Sequence, residues 1–220
     1  MAEPSAAESA TARFYFSFRS PYSWLAFARI ELAAQRAGLA LEYIPVFPPA
    51  DFPNDPSRPP NKAAYILLDV ARVARAYGLT FKMPAELDCE WVRPHAAFLH
   101  AHDLGRGPAF ARAVFAARFT RGEALAEDAV MTRCAEEVGL PAAPLLAAQD
   151  ERPLQERVVL GMIRGVEQDG LFGVPLVSYC GERYWGNDRV EWWLRQLDEA
   201  RGAPVPDLRA DPLSPAHFTR

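Results

Sequence analysis

The sequence predicts an α/β fold: a strand, helix, strand opening, a long helical middle, then a hairpin and a closing helix. Three stretches predict it. Phe14 to Phe18 reads Phe-Tyr-Phe-Ser-Phe, too short for a helix and rich in the aromatic residues that favour a buried strand. Directly after it, Trp24, Leu25, Ala28 and Leu32 recur at helical spacing, with Ile30 and Ala33 beside them. Far downstream, Val174-Pro175 opens a β-rich run, Cys180-Gly181-Glu182 reads as a turn, and Arg183-Tyr184-Trp185 begins a second short strand.

In chain order, residues 1–12 are small, polar and rich in Ala, Ser and Glu, which reads as a loose leader. Ser20-Pro21 starts the first helix: a hydroxyl at the N-cap, then a proline where a missing N–H costs nothing. A strand running straight into a capped helix leaves Ser20 facing free N–H groups and the positive end of the helix dipole, where a thiolate would be stabilised. The simpler role for Ser20 is an ordinary cap. Gly38 suits the helix end, and Leu39 to Pro45 reads as a second strand parallel to the first. Val46 to Asn61 is crowded with prolines, and so long a loop in a compact domain is functional or mobile.

Lys62 to Tyr77 follows as an amphipathic helix with Tyr65, Leu68, Ala71, Val73 and Ala76 on its apolar side. Lys62 departs from the preference for anions in a first helical turn. From Pro84 to Gly170 the pattern is almost wholly helical, with helices predicted at Pro94 to Leu104, Pro108 to Thr120, Ala126 to Val138, briefly after Pro141, and at Leu154 to Gln168. Phe110, Val114, Phe115 and Phe119 form a stripe that reads as core or dimer seam. Asn187 or Asp188 suits the N-cap of a last helix, Arg189 to Arg201, and the proline-rich tail after Gly202 has no helical pattern.

Composition sets limits on function. Hydrophobic residues make up 50% of the 220, enough for a sizeable core, and the formal charge of −4 offers no polybasic surface to nucleic acid or an anionic membrane. No apolar run reaches membrane-spanning length, and the first residues lack a signal peptide's basic region and apolar core, so a cytoplasmic protein is predicted. Cys89, Cys134 and Cys180, odd in number and far apart, suit a reducing compartment. His100 and His102 would point to different faces of a helix with no further ligands nearby in sequence, so no metal site is expected.

The order of elements is that of a thioredoxin-like fold with a large all-helical insertion, in which the hairpin proline is usually cis and lies beside the first helix's N-terminus. Three segments, FYFSFRSPYSWLA, NKAAYILLDVARVARAYGL and FGVPLVSYCGERYWGNDRVEWW, resemble the 2-hydroxychromene-2-carboxylate isomerases and the related kappa-class glutathione transferases, in the DsbA-like branch of the thioredoxin superfamily. The resemblance implies a thioredoxin-like core at 13–80 and 170–201, a helical insertion at 81–169 and an irregular tail at 202–220. Redox relatives carry Cys-x-x-Cys at the helix start. Here the same places read Ser20-Pro21-Tyr22-Ser23, which cannot form an intramolecular disulfide but can bind another molecule's thiol.

What the resemblance implies further is glutathione as cofactor, its sulfur facing Ser20, whose hydroxyl activates the thiol without itself attacking. The backbone of Val174, just before Pro175, would bond the cysteinyl amide as an added strand. Asp188, with Asn187 and the N–H groups of the closing helix, would hold the γ-glutamyl end, and Lys62 the glycine end. Asn54, or alternatively Asn61, would contact glutathione from the proline-rich loop. Arg19, Tyr22 and Trp91 are the candidates on the substrate side, with Trp91 lining an apolar pocket. Simpler roles stand beside these: a turn residue at Asn54, a solvated lysine at Lys62, a cap at Asp188, and a solvent-facing Arg19. The activity implied is glutathione-dependent cis-trans isomerisation of an aromatic hydroxychromene carboxylate in aromatic hydrocarbon breakdown, by a homodimer. The alternatives are a glutathione transferase or peroxidase that consumes glutathione, and a non-catalytic thioredoxin-like binding module.

Overall fold

The opening strand, β1 (Thr11–Phe16), does not alternate between apolar and polar faces. Phe14, Tyr15 and Phe16 are all buried, as in a strand covered on both sides. The computed structural model, which describes residues 11–47 and 60–200, places β1 in the interior of a four-stranded sheet. After β1 come α1 (Pro21–Ala37) and β2 (Ala40–Pro45), and the hairpin strands are β3 (Leu176–Tyr179) and β4 (Glu182–Trp185). The sheet order is β2-β1-β3-β4. β3 runs antiparallel to both neighbours, with Tyr15 opposite Leu176 and Val177 opposite Tyr184. The sequence expectation began β1 at Phe14 and ended it at Phe18. Pairing actually begins earlier and stops at Phe16, because Ser17 already belongs to the turn into α1.

The described residues fall into two compact units, 11–44 with 163–200, and 45–47 with 60–162. In the first, α1 starts at the Ser20 cap and ends at Gly38, whose left-handed backbone (φ 58°) closes the helix onto Ala34 and Gln35. The hairpin turns through Cys180 and Gly181, both with positive φ, so Glu182 pairs with Tyr179 instead of belonging to the turn. The chain ends its described course in a 3-10 turn, Asn187–Arg189, and α8 (Val190–Ala200). The last turns of α7 (Arg152–Asp169) also belong to this unit. Gly165 permits their close approach, since a methyl there would stand 2.8 Å from both Tyr15 and Leu171.

Asp169, the last residue of α7, is the polar centre of the unit. Its carboxylate accepts from Arg13 Nε and Nη2, both at 2.6 Å, from the Tyr15 hydroxyl at 2.5 Å and from Ser178 Oγ at 2.7 Å. One buried acid therefore joins a helix end to two strands.

The second unit is helical: α2 (Pro60–Ala76), α3 (Val92–Asp103), α4 (Gly107–Phe115), α5 (Asp128–Glu137), α6 (Ala142–Ala148) and the start of α7. Two expectations are corrected here. The helix expected to run from Pro108 to Thr120 changes pitch at Ala116 and continues as a π-helical stretch to Arg121, a one-residue change invisible to apolar periodicity. The carbonyls of Phe119 and Gly122 at its end accept from Lys82 and Ala85, while Phe110, Val114, Phe115 and Phe119 stay in the core. On α2, Tyr65 and Leu68 are 59% and 67% exposed, and the buried pair is Val70 and Ala74. Among the described residues, no helix is long and apolar enough to cross a membrane.

Burial in this unit carries an acid sensitivity. His95 is enclosed, with Nδ1 2.5 Å from the carbonyl of Trp91, and burial pushes its pKa down to about 4. A folded pKa below the unfolded value of about 6.5 means a contribution fully present above pH 6.5 and lost as pH falls toward 4, at about 1 kcal/mol per pH unit. Urea unfolding at pH 7 and pH 5 is expected to show that decline. His95→Gln is expected to flatten it, and an unchanged slope in that variant assigns the decline to other groups.

Candidate active site

Three serines shape the turn between β1 and α1. The Ser20 amide donates to Ser17 O at 3.0 Å, and the Ser17 amide donates to Ser23 Oγ at 3.3 Å. The Ser20 hydroxyl oxygen accepts from the Ser23 amide at 3.1 Å, as an N-cap should. A hydroxyl that accepts through its oxygen still has a proton to donate. Ser20 is half-buried, and the first turn of α1 holds no acidic residue to offset the helix dipole. Ser23, at the second place of the motif, is fully buried and its hydroxyl serves the turn itself.

The Val174-Pro175 peptide is cis, Pro175 is buried, and its carbonyl accepts from the Gly186 amide at 2.9 Å. Among the described residues, Val174, a half-buried residue, forms no backbone–backbone hydrogen bond, which leaves an open edge there. The pairing of Tyr15 with Leu176 sets the register: the carboxyl end of β1, which feeds the Ser20 turn, lies at the same end of the sheet as Pro175. Gly173 fits under Trp185, whose indole nitrogen would be 2.8 Å from a methyl there.

Asn187 and Asp188 differ in environment. Asn187 is buried, and both its carbonyl and its Oδ1 accept from Arg29 Nη1, at 2.9 and 2.8 Å. Asp188 projects outward with its side chain 71% exposed and an ion pair to Arg189 at 3.0 Å, which is weak in water. Arg19 and Tyr22 flank Ser20 and are half-buried. The sheet unit thus holds Ser20, Arg19, Tyr22, Val174, Pro175, Asn187 and Asp188.

The remaining candidates belong to the helical unit or lie outside the described residues. Lys62 and Asn61 are exposed in the first turn of α2, and Asn54 lies outside the described residues. Trp91 is buried within the packing of its own unit: its indole N–H donates to Asp88 at 2.6 Å, and the Arg118 guanidinium lies 4.4 Å from its ring centre. The residue that the sequence expectation lacks is Arg29, fully buried in α1 and paired with Glu191 of α8. Its signal was a charge on the apolar face made by Leu25, Ala26, Ile30 and Ala33, where an arginine needs partners.

Two of the three thiols, Cys89 and Cys134, are poorly suited to nucleophilic work. Burial pushes Cys89 and Cys134 up to about 12, and Cys180 sits exposed at the hairpin tip.

A 2-hydroxychromene-2-carboxylate isomerase of Sphingobium xenophagum is 29% identical over 189 residues, covering 83% of this chain and 95% of that protein. The glutathione S-transferase kappa 1 of Caenorhabditis elegans is 24% identical over 214 residues, covering 88% and 92%. A solved 2-hydroxychromene-2-carboxylate isomerase shares the fold with a TM-score of 0.72 at 26% identity, over 87% of this chain and 94% of that one. The match to the DSBA-like thioredoxin domain extends over residues 11–198, and the chain belongs to that family.

Proposed function

We propose that this protein is a glutathione-dependent cis-trans isomerase of the 2-hydroxychromene-2-carboxylate type, with Ser20 as its catalytic residue. The observation that carries the reading is a serine, where redox relatives have cysteine, capping α1 at the end of the sheet that bears the cis Val174-Pro175 edge. The similarity to named isomerases supports it. The same reading makes the protein a cytoplasmic homodimer acting on an aromatic carboxylate.

The residues of the sheet unit fit glutathione. When bound, glutathione supplies a thiol that adds to and leaves an electrophilic carbon, work for which the half-buried Cys89 and the buried Cys134, both with raised pKa values, are unsuited. The Ser20 hydroxyl would donate a hydrogen bond to the ligand sulfur while keeping its proton, and the N-terminus of α1 would add its field, both favouring the thiolate. Val174 offers N–H and C=O to a cysteinyl amide in the manner of a neighbouring strand. Asp188 pairs with an α-ammonium, and Arg19 is placed beside Ser20 in sequence to meet a substrate carboxylate.

Calorimetry with glutathione, followed by product analysis on a hydroxychromene carboxylate, tests the proposal. Binding and turnover with total free thiol unchanged are the expected results. Turnover that depletes thiol and yields a conjugate establishes instead the transferase reading, which the similarity to a kappa-class protein favours as the second choice. Absence of glutathione binding overturns both and leaves a binding module.

A further inference from the structure

We infer that Arg29 is a positioning residue that fixes the Asn187–Arg189 turn, and with it the Asp188 carboxylate, relative to Ser20. This deepens the glutathione reading and rests on it. Arg29 is the only charged side chain among the buried residues of α1, and its acceptors include the carbonyl and Oδ1 of Asn187, at 2.9 and 2.8 Å, and the carboxylate of Glu191. Two of these acceptors are on the residue next to Asp188. Glu191 lies in the first turn of α8, so both the 3-10 turn and the helix that follows it are tied to one guanidinium.

The geometry gives the tie a purpose. Ser20 and Arg29 are on one helix, separated by about 13 Å of axial rise. The central sulfur of a tripeptide and its terminal ammonium lie within the extended length of about 10 Å, so a ligand whose sulfur meets Ser20 needs its ammonium held inside that reach. Asp188 is itself exposed and, among the described residues, pairs with a neighbouring arginine, a contact that does not fix where its carboxylate stands. Through Arg29, the helix that presents Ser20 also sets the turn that presents Asp188. Asn187 on this account acts through its acceptor oxygens, inside the turn, and does not touch the ligand.

Four variants test this, each read by glutathione affinity, by KM against kcat, and by circular dichroism and thermal unfolding. Arg29→Met is expected to weaken glutathione binding tenfold or more, with kcat at saturating glutathione within about threefold of the parent. Arg29→Lys, with a charge but no planar fork, is expected to recover part of the affinity. Should Arg29→Met fail to fold, the Asn187 pair carries the test. Asn187→Ala removes one acceptor and is expected to weaken binding, while Asn187→Asp keeps that acceptor and is expected to bind like the parent. A folded Arg29→Met that binds glutathione as tightly as the parent overturns the inference, as does Asn187→Ala with unchanged affinity. If Asn187→Asp binds as poorly as Asn187→Ala, the amide group itself touches the ligand and the positioning role is overturned. A parent protein that binds no glutathione at all overturns the functional reading instead.

Discussion

Ser20→Ala is expected to lower turnover by about one to two orders of magnitude, the scale of losing one donor aimed at developing or resident negative charge. The same change removes the acceptor for the Ser23 amide, which is worth about 1 kcal/mol of stability as a lost cap. The two effects separate the roles of one hydroxyl. If Ser20 were a cap alone, stability would fall and turnover per folded molecule would not. A second readout is the pH profile of kcat/KM for glutathione. With the donor gone, only the dipole of α1 favours the thiolate, so the rising limb is expected to move to higher pH. Ser20→Thr keeps a hydroxyl and is expected to retain the larger part of the activity. A full-activity Ser20→Ala enzyme, tested on several electrophiles, would remove Ser20 from the chemistry.

The legible parts of the fold are those decided by local chemistry. Ser20 and Pro21 start α1 and Gly38 ends it because capping involves only residues within a turn of one another. The Val174-Pro175 hairpin entrance is legible for the same reason. α2 is different. Tyr65 and Leu68 are the larger apolar residues of its pattern, yet Val70 and Ala74 are the buried ones, and residue size in one helix cannot say which face its neighbours cover. The clamp on Asn187 reaches 158 positions along the chain, so Arg29 is legible only as a misplaced charge whose partner the sequence does not name. The candidate site follows this division. Ser20 and Pro175 are legible, and the supporting contacts that hold Asn187 are not.

Asp169→Ala is expected to destabilise the sheet unit by about 3 kcal/mol. Its side chain is 4% exposed and accepts four hydrogen bonds, from Arg13, Tyr15 and Ser178. Of these donors, Arg13 is 39% exposed and can recover water when the acid is removed, so its ion pair adds little to the loss. The cost falls on the Tyr15 and Ser178 hydroxyls, which are buried and lose their acceptor, and on the space left at the end of α7. Asp169→Asn keeps one acceptor oxygen and is expected to lose roughly half as much, about 1.5 kcal/mol. The pH dependence has a definite sign. Burial would raise the pKa of this carboxyl, but the hydrogen bonds from Arg13, Tyr15 and Ser178 together outweigh burial and hold it below the usual range. A depressed folded pKa gives stability that is present above the unfolded value of about 3.9 and lost as pH falls below it. The gap between the parent and Asp169→Asn is therefore expected to be widest at neutral pH and to narrow below pH 4. The His95 effect lies higher, between pH 6.5 and 4, and is common to both proteins, so it cancels in the difference. Urea unfolding of the pair at pH 7, 5 and 3.5 reads both quantities. A gap under 0.5 kcal/mol at pH 7 would mean that Arg13, Tyr15 and Ser178 find other partners, and that the joint between α7, β1 and β3 is held by packing at Gly165 and Leu171 instead.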